Sequence, residues 1–325
     1  MKESITVSIC CATFNHEKYI KKTLEGFLCQ KTNFKYEILI NDDCSSDGTR
    51  AILKEYIHKY PEIFKVYFQK ENQYSKGKKI VLDILLPKAQ GKYIALCEGD
   101  DYWIDEYKLQ KQYDAMESNK SCSMCVHKVK DVDEYGKELE GEYPSIDIDA
   151  KLIKIEEFMT MAFNPYQYLF HANSFFFKKD SVVDLYNSKP DFMKVSSVGD
   201  VPLTWYLSQK GDFYYINEIM SCYRRDVAGS WSVKMQSRSF RKNMKWCYLQ
   251  SIIKFDEYTN KKYHNLLEND ILEAEFDYLK LSNNFVKMRD KEFKHLFSKL
   301  SLLDKLKYLL LFVFDILRNG DKNGK

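Results

Sequence analysis

The alternation of short apolar or β-branched runs with longer helix-period stretches constrains this chain most. "TVSICCA" (6–12), "YEILI" (36–40), "FKVYFQ" (64–69), "KYIALC" (92–97) and "CSMCVHKV" (122–129) have strand character. Between them, "YIKKTLEGFLCQ" (19–30) sets Ile20, Leu24, Phe27 and Leu28 on one helical face. "RAILKEYIHKY", "KKIVLDILLPKAQ" (78–90) and "DEYKLQKQYDAME" (105–117) continue the series, the second of them bent or ended near Pro87. Strands alternating with helices of this length predict an α/β fold, a mainly parallel sheet covered by helices. Residues 131–150 are acidic and turn-rich, which predicts a surface excursion, and from about residue 236 the pattern is helical to the end.

Composition narrows the function classes. Residues 231–325 hold 19 Lys and Arg against 12 Asp and Glu, whereas the rest holds 31 against 35, so an acidic body carries a basic tail. Basic and aromatic residues are not concentrated together on a motif, so no nucleic-acid partner is expected. Nine cysteines without framework spacing point to reduced thiols and a cytoplasmic location. Cys122 and Cys125 form the one CxxC, but on a strand their side chains point to opposite faces and do not converge on a metal. The start "MKESITVSIC" lacks a basic segment followed by an apolar one, and no run reaches the roughly 20 apolar residues of a membrane span.

In open parallel sheets, ligands bind at the carboxyl ends of the strands. Three polar segments have that address here: "TFNHE", "NDDCSSDGT" and "EGDD". Each could serve only as a turn or helix cap. The last, however, crowds Glu98, Asp100 and Asp101 into four positions, and like charges that close resist joint ionisation unless a cation offsets them. Hard carboxylate ligands suit Mg²⁺ or Mn²⁺, which complete their shells with substrate phosphates. Neither GxGxxG after the first strand nor GxxxxGK[ST] is present, which disfavours dehydrogenases and P-loop NTPases.

The ordered set "TFNHEKYI", "YEILINDDCSSDGT", "GKYIALCEGDDYW" with "KLQKQ", then "GDVPL" and "YRRDVAGSWS", resembles glycosyltransferase family 2, bacterial enzymes with the GT-A fold, over roughly residues 5–232. The resemblance implies a GT-A domain over 1–232 and a helical extension over 233–325. It also implies a hexosyl or N-acetylhexosaminyl transferase that inverts the anomeric carbon, takes a UDP or dTDP sugar as donor partner, and uses Mn²⁺ or Mg²⁺. By the same resemblance, Ala12, Thr13, Phe14 and Asn15 lie beside the base and ribose, Asp43 accepts from the uracil ring, and Asp42 assists. Asp100 and Asp101 match the metal-binding acids and Asp100 also faces the nucleotide, with Asp101 expected to coordinate directly and Glu98 in the leading position. Asp200 matches the general base, and Arg224 and Arg225 match a loop that closes over the diphosphate. Trp103 is expected near the acceptor, and Trp231 lines either the acceptor site or the core. The acceptor expected is a glycan or lipid-linked saccharide of a surface polysaccharide such as capsule or O-antigen. A sugar-phosphate nucleotidyltransferase is a second reading, and a non-catalytic nucleotide-sugar-binding subunit a third.

The stretch "KLSLLDKLKYLLLFVFDILR" (299–318) combines a broad apolar surface with Lys299, Lys305, Lys307 and Arg318. Such a helix can lie on the inner face of the cell membrane, pack on its own domain, or pair with another copy in a homo-oligomer.

Overall fold

A computed structural model of the chain describes residues 4–163, 169–227 and 230–320, with the side chains of 231–232 and 314–320 outside the described residues. The chain divides into two compact units, one of Met1–Ala162, Tyr166–Pro190 and Val198–Val227, the other of Phe163–Pro165, Asp191–Ser197 and Ala228–Lys325.

The first unit is built on one mixed sheet. Its strands are β1 (Val7–Thr13), β2 (Tyr36–Asp42), β3 (Phe64–Phe68), β4 (Tyr93–Leu96), β5 (Tyr102–Trp103), β6 (Cys122–Val132), β7 (Glu138–Tyr143), β8 (Lys151–Ile153), β9 (Phe176–Lys178) and β10 (Asp212–Arg224). Their order is β3-β2-β1-β4-β9-β6-β10-β5, with β7 on β6 and β8 on β10. Pairing is parallel through β3-β2-β1-β4 and again between β6 and β10, while β9, β5, β7 and β8 pair antiparallel. β1 lies between β2 and β4 and is covered on both faces, which is why "VSICCA" reads as a continuous apolar run. Helix α1 (Ile20–Leu28) turns Ile20, Leu24 and Phe27 into the core beside Ile9, Ile38 and Trp103. Helices α2 (Thr49–Lys59) and α3 (Lys108–Ser118) stand where the periodicity places them.

Register sets the address of the polar segments. Thr13 pairs with Asp42 at the ends of β1 and β2, and Cys10 pairs with Leu96 near the end of β4. The chain therefore leaves three neighbouring strands at one sheet edge.

Two elements depart from the sequence pattern. The stretch 78–90 is helical but not α, a π turn over Val81–Leu85 followed by a 3-10 turn over Leu86–Lys88, because Pro87 has no N–H to continue an α ladder. β5 is too short to carry a period, and it exists because Tyr102 and Trp103 pair with Cys222 and Ser221 of β10. Within 131–150 the expected excursion contains β7.

The second unit is helical, chiefly Arg238–Tyr258, His264–Leu281 and Leu302–Gly320. A small core of Phe276, Leu279, Met288, Phe293 and Leu296 holds its later part. All nine cysteines are free thiols, Cys122 and Cys125 among the buried ones. Among the described residues, no helix is long and apolar enough to cross a membrane.

Candidate active site

The three loops at the sheet edge are bonded to one another by backbone and side-chain groups. Gly99 N donates to Ala12 O at 2.9 Å, and Asp43 N donates to Thr13 O at 2.9 Å. Asn15 takes the left-handed conformation, φ 56°, which its short polar side chain tolerates. Its Oδ1 accepts from Ser46 N at 2.8 Å while its own N–H donates to Ser45 Oγ at 2.9 Å. His16 N donates to Thr49 Oγ1 at 2.8 Å, closing the seam. Gly99 is required by close approach, since a Cβ there would stand 2.5 Å from Thr13 Oγ1 and 2.9 Å from His16 Nδ1. From beneath, α1 supports the acidic turn, with Thr23 Oγ1 donating to the carbonyls of Asp101 at 2.5 Å and Gly99 at 3.0 Å.

The three acids of that turn have different surroundings. Asp101 is buried, its Oδ1 accepting from Arg224 N at 2.9 Å and its Oδ2 from Asn173 Nδ2 at 3.3 Å. Burial first, then the charges of Asp100 and Glu98, push its carboxyl up against the pull of Arg224. Asp100 points the other way: its Oδ2 stands 3.7 Å from His16 Nε2, and its Oδ1 is buried with no hydrogen-bond partner. Glu98 stays open to solvent, yet the protein crowded around it and then the charges of Asp100 and Asp200 push its carboxyl up to about 8.

Asp200 begins the helix Asp200–Ser208, with Oδ1 accepting from Val201 N at 2.9 Å. Its charge acts on Glu98, on Tyr74 and on His171, so the fold gathers Asp200 with the acids of the β4 turn, 100 residues away in sequence. His171 is a member of the site that no motif announced. Burial pushes its imidazole down to about 4, against the opposing pull of Asp200, and its ring lies 4.1 Å from Tyr223 and 5.6 Å from Tyr143. Only the antiparallel entry of β9 beside β4 and β6 brings residues 171–174 there. The surface hollow between Lys31, Thr32, Asn33, Tyr107, Gln110 and Asp114 contains none of these acids.

Other expected residues differ in exposure and partners. Phe14 is exposed and Ala12 half-buried on the β1 loop, while Thr13 is buried. Asp43 is buried and binds the next loop, Oδ1 accepting from Gln73 N at 2.7 Å and Oδ2 from Tyr74 N at 2.9 Å. Asp42 is fully buried and pairs with Arg50 at 2.5 Å, its Oδ1 left without a partner. Arg225 is partly exposed and bridges Asp131 Oδ2 at 3.0 Å and Tyr143 Oη at 3.2 Å.

Two placements correct the sequence-based expectations, and a third bears on the metal: both oxygens of Asp101 accept from protein donors, while Asp100 keeps one oxygen unbonded and so is the less committed of the two acids. Trp103 does not line an acceptor site: it is 3% exposed and packs edge-on against Phe27, ring centroids 4.7 Å apart. Arg224 is 3% exposed, donates to Asp100 O, and lies over the rings of Tyr102 and Tyr19, so it straps the acidic turn to β10 rather than reaching a ligand. The Trp231 side chain lies outside the described residues.

The family model for Glycosyl transferase family 2 matches residues 8–184 and so spans β1, the three loops and β9. The chain belongs to glycosyltransferase family 2. An uncharacterized Mycobacterium tuberculosis protein is 31% identical over 235 residues, 69% of this chain and 60% of that protein, so the chain spans about 60% of that relative's length. The Escherichia coli UDP-Glc:alpha-D-GlcNAc-diphosphoundecaprenol beta-1,3-glucosyltransferase WfaP is 36% identical over 114 residues, 35% of this chain and 42% of its own. Among solved structures, a Pyrobaculum calidifontis mannosyltransferase in complex with GDP-Man and Mn²⁺ superposes with a TM-score of 0.53 at 14% identity, covering 97% of this chain and 81% of that one. The fold of this family member is GT-A.

Among the described residues, no three His, Cys, Asp or Glu side chains are grouped to hold a metal ion by themselves. An ion that takes one or two carboxylates and completes its shell from a diphosphate does not need such a group. The unbonded, buried Oδ1 of Asp100 beside the raised carboxyl of Glu98 fits that mode.

Proposed function

We propose that this family member transfers a sugar, with inversion, from a nucleotide-diphosphate sugar to a hydroxyl of a glycan or lipid-linked saccharide in bacterial surface polysaccharide synthesis. UDP is the first donor to test and dTDP the second. The observation that carries the reading is the convergence of Glu98, Asp100 and Asp200, with Asp100 Oδ1 buried and unbonded. The unbonded, buried Oδ1 of Asp100 beside the raised carboxyl of Glu98 is an incomplete electrostatic set that a divalent ion with a diphosphate would complete. The UDP-Glc donor and diphosphoundecaprenol acceptor in the name of WfaP support the donor and acceptor classes, and the GDP-Man and Mn²⁺ of the Pyrobaculum enzyme support the metal.

Each residue has a task in this reading. Asp200 takes the proton from the acceptor hydroxyl as its oxygen bonds to the anomeric carbon, while the bond from that carbon to the diphosphate oxygen breaks on the opposite face. Asp100 and Glu98 would hold Mg²⁺ or Mn²⁺, which when bound supplies positive charge for the departing diphosphate. Arg225, partly exposed and oriented by Asp131, would contact a phosphate, and Asp43 would keep the loop at 72–74 against the base. Tyr143 and Tyr223, half-buried and packed on the buried His171, would border the acceptor sugar.

The test is a melting-temperature panel of nucleotide sugars with and without Mn²⁺, followed by release of the nucleoside diphosphate. Asp200→Asn is expected to keep the donor-dependent stabilisation and to lose on the order of 100-fold or more in transfer rate, the usual contribution of a general base. If no UDP or dTDP sugar raises the melting temperature, or if Asp200→Asn transfers normally, the reading fails.

A further inference from the structure

The helix Leu302–Gly320 is docked by one side and bare on the other. Ser301 caps its start, accepting from Asp304 N at 3.0 Å. Tyr308 packs against the cluster of Phe276, Leu279, Met288, Phe293 and Leu296, and the Phe312 ring lies 6.1 Å from that of Phe285. Leu302, Leu303, Leu306, Leu309, Leu310 and Val313 are all exposed, Leu303 at 79% and Leu310 at 68%. At 3.6 residues per turn these six fall within an arc of about 120°, with Lys305 and Lys307 each about 40° outside its two edges. Asp304 lies on the far side of the wheel, and Lys305 Nζ reaches Ser298 O at 3.1 Å, which holds its charge at the rim.

A loose amphipathic tail would fold its apolar face inward. Here the aromatic side is already packed, and six aliphatic side chains face outward between two lysines. We propose that this face seats the second unit on an anionic lipid bilayer, lying in the headgroup plane without crossing it. Charge decides the occupant: the unit's surplus of Lys and Arg is attracted to an anionic surface, whereas a second copy would set Lys305 and Lys307 against the same charges. The inference rests on this helix alone and stands or falls independently of the transfer reading.

The test is co-sedimentation of the full chain with vesicles of phosphatidylcholine, alone or mixed with phosphatidylglycerol, with urea denaturation to check that variants fold. Wild type is expected to sediment with the mixed vesicles and to dissociate as salt rises. Leu303→Glu with Leu310→Glu should weaken binding by at least about tenfold, and Lys305→Gln with Lys307→Gln by about thirtyfold, the effect of two basic residues near an anionic surface. Wild type that ignores the mixed vesicles overturns the proposal, as do variants that bind like wild type. A wild-type dimer without lipid affinity, made monomeric by the leucine substitutions, would instead assign the face to a second copy.

Discussion

Removing the Asp101 carboxylate tests whether Asp101 is a structural acid and Asp100 the proposed metal ligand. In Asp101→Ala, the Arg224 N–H loses its 2.9 Å acceptor and Asn173 Nδ2 loses a weaker one at 3.3 Å, both in a buried setting. Asn173 Nδ2 retains Cys222 O at 3.0 Å, so the main deficit is one orphaned backbone donor. A buried donor left unsatisfied costs about 1–3 kcal/mol, and the small cavity adds about 1 kcal/mol, while relief of repulsion from Asp100 and Glu98 returns part of that. A net loss of about 2 kcal/mol is expected in urea denaturation of the apo protein at pH 7.5, with the slope unchanged. Asp101→Asn keeps an oxygen for Arg224 N and should lose only about half as much. Mn²⁺ with UDP should still stabilise both variants, whereas Asp100→Asn should fold as well as wild type and lose the Mn²⁺-dependent part of the response. An Asp101→Ala midpoint equal to wild type would refute the clamp, and loss of the Mn²⁺ response in Asp101→Asn but not in Asp100→Asn would return the metal to Asp101.

Two further substitutions probe the surroundings of the site. Gly99→Ala forces a Cβ to within 2.7 Å of Thr13 Cβ, so it should cost about 1–3 kcal/mol by calorimetry or urea and weaken the donor response; unchanged stability would mean the β1 loop is not held against the acidic turn. Lys108 is fully buried, its Nζ donates to Gln112 Oε1 at 2.7 Å, and burial pushes its amine down to about 7 from 10.5. Because its folded value lies below its unfolded one, the unfolded chain binds more protons between about pH 7 and 10.5, and stability should rise with pH across that window. Lys108→Met removes the penalty and the Gln112 bond together, so a net gain of about 2 kcal/mol is expected at pH 7, shrinking toward pH 10; a gain independent of pH would contradict the burial argument.

Much of the first unit was legible in the sequence. The runs at 6–12, 36–40, 64–69 and 92–97 correspond to β1 to β4, because the inner strands are covered on both faces and need apolar residues, while parallel neighbours, the edge strand β3 included, need helical crossovers between them. That pattern also sent "TFNHE", "NDDCSSDGT" and "EGDD" to one sheet edge. β5 and the antiparallel entry of β9 were illegible, because two or three residues hold no measurable period and their pairing partners lie 51 to 120 positions away in sequence.

The sequence by itself therefore determined which acids stand at the sheet edge, and tertiary structure decided what each faces. Asp100 and Asp101 are adjacent and chemically identical. Nothing local distinguishes them in an irregular turn. The pairing of Tyr102 and Trp103 with β10 brings the Arg224 N–H to Asp101 and the entry of β9 brings the Asn173 amide, which together close its carboxylate inside the protein and leave Asp100 turned toward His16 with one oxygen unbonded. The same pairing buries Trp103 and Arg224, whose residue types alone would have suited a ligand site. A side chain's direction in a turn follows from the long-range bonds that hold the turn, and those bonds exist only once the sheet has formed.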